Sequence, residues 1–480
     1  MVCKKSAVNY LKIIIPIITI AVIFVGIYLF PFFKNERQKF KLVPKERMIE
    51  VAGEVSGTEV GTGWSSKETP EQAVKEATEM ALASVRNKTP DFAIVFASSG
   101  NDMDVILYKL RKQFSNKTKI YGGTSDSRAV MTDKGFVKAT KRGYTYSLTE
   151  WKRGLAIMTI SSKDIVFGVG SADLSVYPSI KEASKAAILN AIKSVGRSRN
   201  DRPKVILLTP TVGIEEEIIE GIEEIVGPNT PILGGTAGGP QFGVFGENKI
   251  YAKGVSLAVI YTHLPMGWTF EGGFDVKDPH TGIVTKVDGQ TIIEIDNKPA
   301  LDVYDEWLSG EIKKLHKEVG KLDVIRDLLL LHPIYRKYKS SSGENYFLFS
   351  HPWSEDETLK DKSIKTSTKI KARERIYLSH GTWETVLNRI AKLPRNAKIC
   401  GGIGVDERPI FGIGYICGGI MGVIPETERE KISLLMNYAN NNAPFIANFT
   451  WGEQGYFPGI SNKHGNLLTS FLVIGKKGQR

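Results

Sequence analysis

The sequence predicts an α/β (α+β) body in which duplicated strand-helix-strand units form mixed sheets with helices packed on them. Three observations carry this reading. A strand-helix-strand grammar recurs along the chain, its second strands run into Gly-Gly pairs, and a further apolar strand follows each recurrence. The expected whole is two domains plus one N-terminal transmembrane helix.

In the first unit, DFAIVFASSG (Asp91 to Gly100) is a short apolar run ending in small residues. A helix-like stretch through Phe114 follows, and then KIYGGTSDSR (Lys119 to Arg128). The same order returns in KVILLTPTVG (Lys204 to Gly213), IEEEIIEGIEEIV and PILGGTAGGP (Pro231 to Pro240). The interval from Gly100 to Gly122 nearly equals that from Gly213 to Gly234, which argues for internal duplication. After each GGT comes a turn-rich stretch and an apolar strand, RGLAIMTI and GVSLAVIY. Strands closing on both sides of a crossover helix favour a mixed sheet.

A weaker third copy reads RIYLSHG (Arg375 to Gly381), WETVLNRIAKL, KICGGIGVDER (Lys398 to Arg408) and FGIGYICGGIMGV. A fourth is expected from the Glu-rich helix Glu426 to Tyr438, the strand FIANFTWGEQG (Phe445 to Gly455) and the final strand LLTSFLVIG. Between the second and third copies, Thr281 to Gly310 reads as a β-meander with a DG turn and then a helix opening at Pro299 or Ala300. Leu322 to Leu331 reads as helix broken at Pro333, and the polar stretch Ser354 to Thr368 as a loop. Ahead of all units, TPEQAVKEATEMALASV has Thr69 as N-cap, Pro70 at the first helical position and Gln72 at the capping-box position. Its many small residues permit close packing on a sheet.

From Ile13 to Phe33 the chain runs without a charge, long enough to cross roughly 30 Å of hydrocarbon at about 1.5 Å per residue. A cleaved signal peptide is the alternative, but the stretch ends in bulky LFPFFK rather than small residues. Cys3 precedes the span, which argues against a lipoprotein anchor. Counting Lys and Arg on either side would put the body in the cytoplasm, whereas a short basic tail before an apolar core is the usual signal-anchor arrangement. The expectation leans to an extracytoplasmic body. The segments are therefore a tail (1–12), an anchor (13–33), a basic linker (34–48), an N-terminal domain (49–262) and a C-terminal domain (263–480).

With 42% hydrophobic and 24% charged residues in 480, composition is that of an ordinary globular chain. The net charge of +12 is scattered, and its one dense run, Lys34 to Arg47, abuts the membrane, so nucleic acid is not an expected partner. That run reads as a solvated linker or as contact with anionic lipid. Three cysteines make no disulfide framework, and neither metal nor cofactor is expected, since no C-x-x-C, H-E-x-x-H, phosphate-loop or dinucleotide motif occurs.

The Gly-Gly pairs after strands (Gly122-Gly123, Gly234-Gly235, Gly401-Gly402, Gly418-Gly419) admit two readings. Glycine lets strand ends bend or pass close to another backbone. Alternatively the ends converge on one cleft and offer amide N–H groups to a small anionic ligand, with Thr124, Ser125, Thr236 and Asp406 beside them. Cys417, in an apolar run, is a small buried hydrophobe or, with His380 or His464 as base, a nucleophile. Glu453 is a cleft carboxylate for a ligand amine, or a solvated turn residue.

In order and spacing, the small-residue N-terminal helix, DFAIVFASSG, the two GGT strand ends, TIIEIDNKPALDVYDEWL, the YICGG run and the closing GEQGYFPGISNKHGNLLTSFLVIG resemble the FIST sensory family over roughly residues 50–475. The resemblance covers both its N-terminal and C-terminal parts. It implies a ligand-sensing module of signal transduction, binding small molecules such as amino acids, and not an enzyme. The rival is a thiol-dependent hydrolase or acyl-transfer enzyme using Cys417. In the family the Cys run continues Cys-x-Gly-Arg; here Ile420 replaces the Arg, while Glu453 is kept. The expected ligand-binding residues are Gly122, Gly123, Thr124, Gly234, Gly235, Thr236, Cys417, Gly418, Gly419 and Glu453. Members often carry an output module on the same chain; none follows Gly475, so the expected partners are a small ligand, the membrane and a separate output protein.

Overall fold

The computed structural model describes residues 57–476, apart from 87, 127–128, 138–152, 240, 278, 320–321 and 354–359. The predicted span 13–33 and its basic linker lie outside the described residues. Among the described residues, no helix is long and apolar enough to cross a membrane.

Three repeats share one order of elements. The first runs β1 (Thr58–Ser65), α1 (Pro70–Ala83), β2 (Phe92–Ser98), α2 (Met103–Gln113), β3 (Lys119–Ser125), a hairpin β4 (Val130–Thr132) and β5 (Gly135–Val137), and β6 (Leu155–Ser162). The second runs β7 (Ile165–Asp173), α3 (Ile180–Lys193), β8 (Val205–Pro210), α4 (Glu215–Val226), β9 (Ile232–Gly235), a hairpin β10 (Val244–Phe245) and β11 (Ile250–Tyr251), and β12 (Gly254–Thr262).

The third opens with β13 (Met266–Gly272) and is then interrupted by an insertion. That insertion holds β14 (Thr281–Asp288), β15 (Thr291–Ile295), β16 (Lys298–Pro299), α5 (Ala300–Trp307), α6 (Glu311–Val319), α7 (Leu322–Leu331), β17 (Ile334–Lys339), β18 (Asn345–Ser350), β19 (Pro352–Trp353), β20 (Ile364–Thr366) and β21 (Arg375–Leu378). The repeat resumes with α8 (Trp383–Cys400), β22 (Phe411–Cys417), α9 (Gly418–Val423), α10 (Glu426–Ala439), β23 (Phe445–Thr450), a hairpin β24 (Glu453–Phe457) and β25 (Ser461–Gly465), and β26 (Leu468–Ile474).

Strand order is the same in the three sheets: β1-β6-β2-β3, β7-β12-β8-β9 and β13-β26-β22-β23, with only the last pair of each parallel. Each sheet is completed by a hairpin from another repeat. β10-β11 of the second repeat adds to β3, β24-β25 of the third adds to β9, and β4-β5 of the first adds to β23. The exchange is cyclic and closes on itself, so the free edge beside each inner strand is covered.

The inner faces of the three sheets share one apolar core that includes Phe92, Ile94, Leu207, Leu233, Ile413 and Ile446. The outer faces are covered by α1 and α2, by α3 and α4, and by α8 and α10, each with its own apolar layer. Small residues allow the first helix of each repeat to lie directly on its first strand. A Cβ on Gly63, Gly170 or Gly267 would fall 2.0 Å from the carbonyl oxygen of Ala77, Ala187 or Ala397, respectively. Thr69 caps α1, accepting from the Gln72 amide, and Pro70 opens it, as the sequence indicates.

The predicted third and fourth copies are one repeat. The strand equivalent to β2 and β8 is FGIGYIC, the Glu-rich α10 belongs to its crossover, and FIANFT is its second inner strand. KICGGIGVDER is not a strand end: α8 continues through Pro394 to Cys400, because Leu393, Ala397 and Lys398 face the core. Gly402 then takes a left-handed φ of 65° just past the helix end. Gly418-Gly419 does follow a strand, but opens α9. The stretch read as a loop before residue 368 contains β20.

Candidate functional site

The inner parallel strands of the three repeats end together, and each has a buried threonine within one residue of its end: Thr124, Thr236 and Thr450. The chain beyond each threonine bonds to the neighbouring repeat. Gly238 N–H donates to Thr124 O (3.3 Å), Trp451 N–H to Thr236 O (3.2 Å) and Asp126 N–H to Phe449 O (2.7 Å). This ring of three bonds draws the three turns onto a common centre. A Cβ on Gly238 would meet Asp126 Cβ at 2.6 Å and Trp451 Cδ1 at 3.0 Å, so only glycine lets the turns close.

Around that centre the first inner strands contribute Ser99 and Gly418. Gly418 packs on Asp126, where a Cβ would sit 2.3 Å from Oδ2. Trp451 is 37% exposed at the outer end, with Phe242 edge-on to its ring. Two residues along the chain, Glu453 is fully buried.

Glu453 accepts from the Thr450 hydroxyl (2.7 Å), from Leu468 N–H (3.2 Å) and from the Cys417 thiol. Leu467, a non-glycine residue at φ 56°, makes the turn that brings the Leu468 amide to the carboxyl and its own amide to the Cys417 sulfur. Such a backbone conformation costs on the order of 1–3 kcal/mol and persists only where its surroundings hold it. No Lys, Arg or His among the described residues pairs with Glu453. Burial therefore pushes its carboxyl well above the usual range, against the Thr450, Leu468 and Cys417 bonds. Burial and the neighbouring Glu453 likewise push the Cys417 thiol well up, so it stays protonated.

The expected site residues divide into two sets. Thr236, Cys417, Gly418 and Glu453 stand at or under the converging turns, and Gly235 pairs with Glu453 while abutting Thr450. Gly122, Gly123 and Gly234 lie within ladders: Gly122 and Gly123 pair with Val95 and Phe96, and Gly234 with Leu208 and Gln454. There their missing side chains admit close backbone approach. Thr124 is tied to the swapped second-repeat segment, accepting from Gly243 N–H at 3.2 Å. Gly419 faces Leu330 and Leu467.

Asp126, Thr450, Trp451 and Gln454 escaped the sequence reading. Thr450 had a usable signal, since NFT ends the third inner strand as GGT ends the other two. Ile420, in place of the family's Arg, is buried in apolar core.

Residues 91–298 match the sequence profile of the FIST N domain. No curated protein matches the chain. Among solved structures, a cyanuric acid hydrolase from A. caulinodans shares 8% identity over 88% of this chain and 100% of that one, at a TM-score of 0.31. A second cyanuric acid hydrolase shares 6% over the same proportions, at 0.27. Neither likeness bears on chemistry at these values. The stretch 91–298, which holds the first two GGT strand ends and their turns, is thus a FIST N domain.

Proposed function

We propose that this protein is a membrane-anchored sensor that binds a small amine-bearing metabolite, such as an amino acid, where the three turns meet. The family supplies the coarse statement: FIST domains are small-ligand-binding sensory domains of signalling proteins. The carrying observation is Glu453, a buried carboxyl whose partners among the described residues are neutral donors. An uncompensated buried carboxylate is costly, and a ligand ammonium is the cation that offsets it. Trp451 offers an aromatic wall over which the rest of a small ligand, or the ammonium itself, packs. With Ile420 in place of the family's Arg, recognition rests on the amine rather than on a ligand carboxylate.

In this reading residues 263–480 form the C-terminal FIST domain that completes the site, and 13–33 anchor the body, with a separate protein carrying the output. The thiol-enzyme rival gains no support, since Cys417 is buried, protonated and bonded to a carboxyl rather than to an imidazole.

Thermal unfolding of the detergent-solubilised full chain against amino acids, other small amines and organic acids tests the proposal. A ligand at about 100 times its Kd adds roughly 2.7 kcal/mol of stability. The expected result is a rise in Tm with one amine and its loss in Glu453→Gln. No shift with any amine, or an undiminished shift in Glu453→Gln, would sink it.

A further inference from the structure

We propose a divalent transition-metal site at Glu215, Glu216 and His464, which adjoins the ligand site above through Thr236. Each residue brings one donor atom, and the three atoms lie within 4.8 Å of one another. Two carboxylates open α4 of the second repeat, and the imidazole comes from β25 of the hairpin that the third repeat lends to the second sheet. A cation here would pin the exchanged hairpin to its host. Mixed nitrogen and oxygen donors suit zinc, cobalt or manganese better than calcium or magnesium, which favour oxygen alone.

The surroundings are those of a held site. Glu215 and His464 are nearly inaccessible, at 2% and 4% exposure. Glu215 Oε2 accepts from Gly213 N–H (2.8 Å) and its Oε1 from the Thr236 hydroxyl (3.0 Å). Glu216 accepts from Lys369 N–H (3.1 Å), and His464 packs against Gly452, whose Cβ would come within 2.4 Å of Cε1. The amide end of a helix carries roughly half a positive charge. Two carboxylates outweigh it, so the position still attracts a cation.

Gln454 is the independent pointer. It is fully buried, its Nε2 lies 3.2 Å from His464 Nδ1 and 3.0 Å from Thr236 Oγ1, and its Oε1 has no partner among the described residues. Exchanging the amide ends, which oxygen and nitrogen permit at equal bulk, changes all three groups together. Oε1 then accepts both the His464 Nδ1 proton and the Thr236 hydroxyl proton. His464 then carries its proton on Nδ1 and has a bare Nε2, a tautomer able to bind a metal, and Glu215 Oε1 is released from Thr236. A carbonyl oxygen on the far nitrogen of a ligating histidine is the usual orienting contact. Gln454 is the positioning residue.

The bland reading is that Glu215 merely caps α4 and Glu216 merely pairs with His464. Titration of chelator-stripped full-length protein with Zn²⁺ by calorimetry, and with Co²⁺ by visible absorption, separates the two. The expected result is one Zn²⁺ per chain, weakened at least about 100-fold by His464→Gln and by Glu216→Gln, and roughly 10- to 100-fold by Gln454→Leu. Glu217→Gln, on an exposed neighbour paired with Lys369, leaves affinity unchanged. If His464→Gln fails to fold by circular dichroism, Glu216→Gln carries the comparison. No saturable Zn²⁺ binding, or binding equally strong in Glu216→Gln and Glu217→Gln, overturns the site.

Discussion

The phenol oxygens of Tyr121 and Tyr415 lie 2.7 Å apart at the buried junction of the repeats, and the Tyr121 oxygen is also 2.8 Å from the Thr209 hydroxyl. One hydroxyl comes from each repeat. Burial pushes both phenols up, so the three groups exchange neutral hydrogen bonds. Tyr121 is the middle member and serves two partners, whereas Tyr415 serves one. Tyr121→Phe leaves two buried hydroxyls short and should cost about 1–3 kcal/mol, while Tyr415→Phe should cost about 0.5–1.5 kcal/mol. Denaturant unfolding of both variants checks the order; a larger cost for Tyr415→Phe contradicts it.

Cys417 should be unreactive in the folded protein. Its thiol is buried and protonated, and the thiolate is the nucleophile. Cys400, by contrast, is exposed at the end of α8. Iodoacetamide followed by peptide mass analysis should modify Cys400 under native conditions and Cys417 only in denaturant. Rapid native labelling of Cys417 would revive the enzyme reading.

The repeat grammar, the N-cap at Thr69 and the DG turn were legible because each rests on local sequence. The third repeat was not, since the insertion from β14 to β21 separates its first strand from the rest. FGIGYIC there looks like an ending rather than a beginning. Gly401-Gly402 misled because a helix end and a strand end both favour paired glycines, and only the burial of Ala397 and Lys398 distinguishes them. Asp126, Trp451 and Gln454 could not be found from spacing. Their partners lie in other repeats and are brought near by the cyclic exchange of hairpins, a relation without local signature.

Two glycine substitutions separate these cases. At Gly402 (φ 65°) an added Cβ meets nothing within 4 Å among the described residues, so Gly402→Ala carries the left-handed backbone penalty, about 1–2 kcal/mol. At Gly235 the new Cβ would stand 2.3 Å from Thr450 Cγ2. Gly235→Ala therefore overpacks the group that holds Glu453, at about 1–3 kcal/mol. Both should lower Tm, but only Gly235→Ala should abolish the amine-induced shift. Equal ligand responses in the two would remove Gly235 and Thr450 from the site.

Glu453 should give the ligand-free protein a stability that falls with rising pH. Unfolded, its carboxyl ionises near the ordinary 4.5, and folded, burial holds the proton to well above that. Between the two values the unfolded chain has released a proton that the folded chain keeps. The contribution is thus complete below about pH 4.5 and is lost as pH climbs toward the folded value, by about 1.4 kcal/mol for each unit of separation. Glu453→Gln removes the titration. Its amide oxygen can accept from Leu468 N–H and its NH2 can donate to Thr450, whose hydroxyl turns to Ile416 O, 3.2 Å away. The variant should match the wild type near pH 4 and exceed it at pH 8. A saturating amine should flatten the wild-type slope, because the bound ammonium lets Glu453 ionise. Binding then releases a proton, visible as a calorimetric enthalpy that depends on the buffer. Equal slopes in wild type and Glu453→Gln would show that the carboxyl is not the group that titrates.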